Sequence, residues 1–136
     1  NIFLNASEQQ LRLQPRDAFM QGNTFLRNIV AYHEADSVLW YAYARTWRPD
    51  RLSECDYNVY WCWGGLDIAS TDSAITPEGS YRDWLSVGFD QHSVVAEPRF
   101  VSPDLEHFAL APDSPALELG FESIPEDRIG PEGYIE

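Results

Sequence analysis

The chain has 136 residues, 44% of them apolar, and 22 Asp and Glu oppose 9 Arg for a net charge of -13. This length holds one domain with one core, and the apolar content argues against wholesale disorder. A surface this acidic repels phosphate backbones, so we expect no nucleic-acid partner. No apolar stretch has spanning length, and no Cys-x-x-Cys pair or His cluster occurs. We therefore expect no membrane insertion, no metal and no cofactor.

A short phrase recurs along the chain. Asn1 begins Asn-Ile-Phe, Asn28 begins Asn-Ile-Val 27 residues later, and Asn58 begins Asn-Val-Tyr 30 residues after that. An Asn ahead of a β-branched or aromatic run, at a period of about 20 to 50 residues, is typical of solenoids. We predict that the three runs are parallel strands of one sheet. The Asn side chains would form a hydrogen-bonded ladder along the stack.

Further strands are predicted between these runs. Residues 7–16 alternate Leu11 and Leu13 with polar residues, and residues 23–32 form a second strand region. Residues 37–47 also alternate, which is typical of a half-buried strand. We expect one set to face the interior, comprising Val38, Trp40, Ala42, Ala44 and Thr46. The other set would face outward, comprising Leu39, Tyr41, Tyr43, Arg45 and Trp47.

The outward set supplies the candidate substrate-binding residues, Tyr41, Tyr43, Arg45 and Trp47. Aromatic rings stack on sugar faces, and an Arg fork grips a carboxylate at two points. Arg12, one repeat earlier, would extend this groove, as would Arg16. The alternative is that the face lies under a loop or under the cap that we predict over residues 80–136, with Arg45 paired to one of the many acids.

The candidate catalytic residues are His33, Asp36 and Asp56, which lie close to the repeat strands. A His near a carboxylate can act as a general acid or base. Glycoside cleavage needs two carboxylates about 5 to 10 Å apart, which Asp36 and Asp56 would provide only if their repeats stack in register. Asp56 also suits a turn-capping role. Cys55 and Cys62 are either bridged or buried as free thiols.

A short helix is predicted over residues 80–87. Ser80 suits the N-cap, Asp83 occupies the third position after it, and Gly88 follows as a stop. The rest of the chain is rich in Pro and turns. It holds three shorter predicted elements, namely strands over 99–101 and 107–110 and a helical turn from Ser114.

Four phrases near the end carry a resemblance to a known family. They are Phe89-Asp90-Gln91-His92-Ser93, Ala96-Glu97-Pro98-Arg99-Phe100-Val101, Phe108-Ala109-Leu110 and Asp113-Ser114-Pro115-Ala116-Leu117-Glu118-Leu119-Gly120. With the Asn-led runs, they resemble the C-terminal end of right-handed parallel β-helix proteins, secreted by bacteria and related to polysaccharide lyases and glycoside hydrolases. The resemblance implies an all-β, right-handed parallel β-helix. Its last coils would be residues 1–79, and residues 80–136 would form an irregular cap with a short helix. Asp90 and His92 would pin this cap through side-chain to backbone hydrogen bonds.

The resemblance also implies carbohydrate chemistry on the long face of the coils, in a secreted or periplasmic protein that binds polysaccharide or oligosaccharide. We expect the C-terminal fragment of a carbohydrate-active enzyme, either a glycoside hydrolase or a polysaccharide lyase, whose main catalytic coils lie upstream. The alternative is a non-catalytic glycan-binding or structural capping module. A stack open at its first strand exposes unpaired edges, so upstream coils or self-association would cover that end.

Overall fold

The computed structural model describes residues 1–13, 21–42, 47–65, 79–102, 107–125 and 128. Eight strands lie within these ranges: β1 (Ile2–Leu4), β2 (Gln9–Leu13), β3 (Asn23–Leu26), β4 (Ile29–Tyr32), β5 (Val38–Ala42), β6 (Leu52–Asp56), β7 (Val59–Cys62) and β8 (Val94–Val95). Three short helical segments accompany them: a 3-10 turn (Pro49–Arg51), α1 (Tyr81–Val87) and α2 (Pro115–Glu118). Strands thus make up most of the regular secondary structure in the described residues, as an all-β class requires. None of its helices is long and apolar enough to cross a membrane.

The strands form three sheets in which every pair is parallel. Their orders are β1-β4-β7-β8, β2-β5 and β3-β6. The chain therefore visits the three sheets in the same order twice, and we call these visits the first pass (residues 1–26) and the second pass (27–56). β7 begins a third pass. The predicted pairing of the Asn-led strands is confirmed, since Ile2 lies beside Ile29 and Ile29 beside Val59.

A residue with positive φ forms the corner ahead of the second and third Asn-led strands, β4 and β7. Arg27 has φ 53° and Tyr57 has φ 57°. This left-handed conformation turns the chain sharply and interrupts strand pairing. The single strand region predicted over 23–32 is accordingly two strands, β3 and β4, that belong to different sheets.

The predicted Asn ladder is present at these corners. Asn1 Nδ2 donates to Asn28 Oδ1 at 3.3 Å, and Asn28 Nδ2 donates to Asn58 Oδ1 at 3.3 Å. The backbone N–H of Asn28 also donates to Asn58 Oδ1, at 2.9 Å. Asn28 and Asn58 are buried, so each bond satisfies a polar group that water cannot reach.

The main core lies between the three sheets. Inward side chains of β4 and β7 alternate along each strand, as in Val30 and Tyr32 of β4. Cys55 and Cys62 are both buried in this core as free thiols, so the disulfide alternative does not hold.

Helix α1 covers one end of this core. The Ser80 side chain accepts from the Asp83 N–H at 3.2 Å, and Gly88 ends the helix with φ 110°, as predicted. Trp84 stacks on Trp40, with ring centroids 4.9 Å apart, and on Trp47 at 6.0 Å.

This packing corrects the predicted alternation over 37–47. Leu39 is 0% exposed and Trp47 is 7% exposed, so neither lies on an outward face. The Trp47 ring is buried against Trp84 and Phe89. Burying an indole here stabilises the covered end of the core more than exposing it to water would.

A second apolar layer covers the outer face of the four-stranded sheet. Residues 107–124, here called the C-terminal strap, pack Ala116 and Phe121 against Ile29, Ala31 and Val59. The predicted helical turn after Ser114 is confirmed as α2. The two strands predicted near it are reduced to one antiparallel bridge, Phe100 with Leu110. Among the described residues, α1 and Phe89 cover the end of the main core, while the strap lies along its side.

Asp90 joins the Asn ladder to α1. Its buried carboxylate accepts hydrogen bonds from five side chains: Asn58 (2.9 Å), Tyr60 (2.9 Å), Trp84 (2.7 Å), Ser93 (2.5 Å) and Cys55 (3.5 Å). The expected structural role of Asp90 is present, but its recorded donors are side chains rather than backbone groups.

The three strands of the first pass form the opposite, open end of the structure. In the described residues, β1, β2 and β3 each pair with a strand on one edge only. Their twelve residues, Ile2–Leu4, Gln9–Leu13 and Asn23–Leu26, include Arg12 but no Asp or Glu. The strands of the open end therefore carry no acidic side chain.

Candidate functional site

The corner ahead of the Asn ladder carries one planar side chain on each pass. The Arg27 guanidinium lies 5.1 Å from the centroid of the Tyr57 ring. The other neighbour of Tyr57 is the His92 ring, at a centroid distance of 5.0 Å and an interplanar angle of 7°. We call this column the Arg27–Tyr57–His92 stack. It places a cation, a phenol and an imidazole side by side at the molecular surface.

Asp56 fixes the imidazole end of the stack. Its Oδ2 lies 2.7 Å from His92 Nδ1, and its Oδ1 accepts from the backbone N–H groups of His92 (2.7 Å) and Tyr57 (2.8 Å). Burial raises the pKa of Asp56, but the hydrogen bonds from His92 and from these two amides outweigh it and leave the pKa lowered. Asp56 is therefore ionised at neutral pH.

The strap passes close to Arg27, the cationic end of the stack. Gly120 has φ 84°, and a Cβ added there would lie 3.1 Å from Arg27 Nε. A side chain at this position would be both strained and crowded. The glycine thus lets the strap pass close under Arg27 while the guanidinium lies over Tyr57.

A cleft of about 460 Å³ opens beside this stack, between β6 and the end of α1. Its polar lining includes Arg27, Glu54 and Asp56, and its apolar lining includes Leu26 and Val87. Glu54 is exposed. Within the described ranges its carboxylate has no recorded hydrogen bond or ion pair, so it is available to a ligand.

Cys55 also borders the cleft but offers no nucleophile. Burial raises the pKa of its thiol well above the ordinary value, and the nearby Asp90 carboxylate raises it further. The thiolate is the reactive form of cysteine. At neutral pH Cys55 is a protonated core thiol.

The structure does not bring His33, Asp36 and Asp56 together. Asp56 lies at the corner where β7 is about to begin, whereas His33 and Asp36 lie beyond the opposite end of β4. A four-residue strand spans about 13 Å, so Asp36 and Asp56 lie near opposite ends of the strands and do not face each other. His33 instead bonds Asn5 Oδ1 through Nδ1 at 2.8 Å and stacks on Trp63.

The candidate substrate-binding residues also separate. Arg12 and Tyr41 are register neighbours on β2 and β5, with the guanidinium 5.5 Å from the ring centroid. Trp47 is in the core. Tyr43 and Arg45, like Arg16, lie outside the described residues.

Sequence reasoning missed Arg27, Glu54 and Tyr57 and gave His92 only a structural role. One signal was available for the stack: Arg27 and Tyr57 each immediately precede an Asn of the repeat, so they share a corner position. The cleft had no such signal, because it depends on where the end of α1 packs.

The described residues contain no group of three His, Cys, Asp or Glu side chains that could hold a metal ion. Comparison with known proteins found no matching family model, no matching curated protein and no matching solved structure.

Proposed function

We propose that the chain is the terminal part of a right-handed parallel β-helix and that it binds carbohydrate without cleaving it. Three parallel sheets visited in a fixed order, with an Asn ladder at one corner, support the first half of this proposal. Parallel crossover connections are right-handed in nearly all proteins, which supports the hand.

The cleft beside the Arg27–Tyr57–His92 stack supports the second half of the proposal, carbohydrate binding. Its volume of about 460 Å³ is within the range of small-molecule sites. A sugar has a rim of hydroxyl groups and apolar C–H faces. Arg27 can donate to the rim and Glu54 can accept from it, while Leu26 and Val87 can contact a C–H face.

Binding without cleavage fits the state of the carboxylates. Hydrolysis requires a protonated acid and a second carboxylate. Asp56 is committed to His92 and two amides, and its lowered pKa opposes a role as the acid. Among the described residues that line the cleft, Glu54 is the one other carboxylate, so no free pair of carboxylates is left for hydrolysis.

Titration calorimetry with short neutral and charged oligosaccharides tests this function. Arg27→Ala and Tyr57→Ala should each weaken binding about fivefold or more, because each dismantles the stack that borders the cleft. Arg12→Ala removes a similar surface cation–π pair away from the cleft and serves as the matched control. If the control weakens binding equally, or if no oligosaccharide binds at about millimolar concentration, the proposal fails.

One observation favours a second candidate, eliminative cleavage of a polyuronate. Asp56 holds His92 through Nδ1, which leaves Nε2 on a ring whose side chain is 62% exposed. A histidine oriented by a carboxylate can serve as a general base. Ultraviolet absorbance of an unsaturated product, lost in His92→Ala, would support this candidate; unchanged polyuronate would exclude it.

A further inference from the structure

We propose that the cleft selects oligosaccharides with free amino groups, and that Glu54 binds their ammonium group. This inference rests on the proposed carbohydrate-binding function and names its ligand class. It follows from which charges around the cleft are already paired and which are free.

One of the two carboxylates that line the cleft is already occupied. Asp56 accepts three hydrogen bonds, two from backbone amides and one from His92. The Arg27 guanidinium lies over the Tyr57 ring. Glu54 is left with no recorded partner among the described residues, and a carboxylate of this kind forms its strongest hydrogen bonds with cationic donors.

The electrostatic field around the cleft also favours a cationic ligand. The chain has 22 acidic and 9 basic residues, and the cleft itself holds two carboxylates and one guanidinium. An anionic sugar would have to reach Arg27 past Glu54 and Asp56, against a net charge of -13. The negative electrostatic potential that repels an anionic sugar attracts a cationic one.

The shape of the cleft places the amine at its polar side. Glu54 and Asp56 lie two residues apart on β6, so their side chains share one face of the strand about 7 Å apart. Val87, which is 40% exposed, borders the cleft from the end of α1. A sugar ring with a C–H face on Val87 can therefore direct an amino group toward β6.

Calorimetry with three oligomers of equal length tests the preference: glucosamine, N-acetylglucosamine and galacturonate, at a pH where the free amine is protonated. Glucosamine oligomers should bind about three- to fivefold more tightly than the N-acetylated ones, the range of an exposed ion pair. Added salt should narrow the difference, because it screens that pair.

Two variants with the same charge change locate the effect. Glu54→Gln should abolish the difference between the amino and N-acetylated oligomers. Glu8→Gln, at an exposed position that does not line the cleft, should preserve it. Circular dichroism would verify that both variants are folded.

Equal affinity for the two glucosamine forms, or an equal loss from both Gln variants, would overturn the amine preference while leaving carbohydrate binding intact. Tighter binding of galacturonate would also overturn it and would favour elimination. Failure of all three oligomers to bind would overturn the proposed function itself.

Discussion

Asp90 is the residue on which the buried polar groups converge. Asn58 and Ser93 donate to Oδ1, while Tyr60 and Trp84 donate to Oδ2. The residue is 1% exposed, so water cannot replace any of these donors. The carboxylate thus holds α1 and the Asn ladder in one network.

Asp90→Asn should destabilise the fold strongly. An amide has one acceptor oxygen, so its NH2 would face at least two of the present donors in either orientation. We expect a loss of about 3 kcal/mol in the free energy of unfolding, measured by urea denaturation. Asp113→Asn is the control, because Asp113 is an exposed carboxylate paired with Arg99. Its cost should stay within about 1 kcal/mol, and equal losses would contradict the central role of Asp90.

Asp56 should make stability depend on acid pH. Its pKa is lowered in the fold, so the unfolded state binds a proton more readily than the folded state. The stabilisation is complete above the unfolded value, about 3.9, and is lost as pH falls through the folded value.

Urea denaturation at a series of pH values from about 6 to about 3 would measure this loss. In Asp56→Asn the decline toward acid pH should be shallower than in the parent chain. Parallel pH profiles for the two proteins would show that Asp56 contributes nothing to acid sensitivity.

The Asn ladder is an element whose rungs differ in burial. Asn1 is exposed, Asn28 is 4% exposed and Asn58 is 0% exposed. Replacing Asn58 leaves the Asn28 N–H and the Phe25 carbonyl without their recorded partner.

The same Asn→Ala substitution at the three rungs should therefore have graded effects. We expect about 0.5 kcal/mol or less at Asn1, about 1 to 2 at Asn28 and about 3 at Asn58, by urea denaturation. A flat series would mean that the side-chain ladder contributes little beyond the strand pairing beside it.

Elements with local signals could be predicted from the sequence. Helix α1 has its N-cap, its third-position acid and its terminal glycine within nine residues, Ser80 to Gly88. The repeated Asn-led run predicted the parallel sheet. Alternation correctly assigned Trp40 and Ala42 of β5 to the interior, but it could not show that Leu39 is buried as well. Trp47 takes its position from Trp84 and Phe89, which are distant in sequence.

At the scale of the whole molecule, the open end should drive association. β1, β2 and β3 present unpaired edges on which Arg12 is the one charged residue, and charged side chains are what usually discourages edge pairing. The average mass by light scattering should rise with protein concentration. It should rise further with salt, which screens the repulsion between acidic copies.

Thr24→Lys puts a charge on an exposed position of the β3 edge and should reduce this association. Ser86→Lys adds the same charge to an exposed position of α1, at the covered end, and should not. A monomeric parent chain at high concentration, with its first-pass strands ordered, would contradict the prediction.

The candidate site forms where residues from different passes pack together. For this reason only part of it could be predicted from the sequence. Asp56 was identified by its charge and place. Its true partner, His92, belongs to the next pass, and Glu54 acquires a cleft only because α1 ends opposite β6. Such neighbours follow from how the passes stack, not from spacing along one strand.

The C-terminal strap also determines when, during synthesis, the outer face of the four-stranded sheet can be covered. Phe121 and Ile124 belong to the same apolar cluster as Ile2 and Leu4, at the other end of the chain. During synthesis the first strands leave the ribosome long before the residues that shield their outer face. Contacts so distant in sequence form slowly, and exposed apolar strands invite aggregation meanwhile. The outer face of the four-stranded sheet therefore stays unshielded until the C-terminal strap has been synthesised.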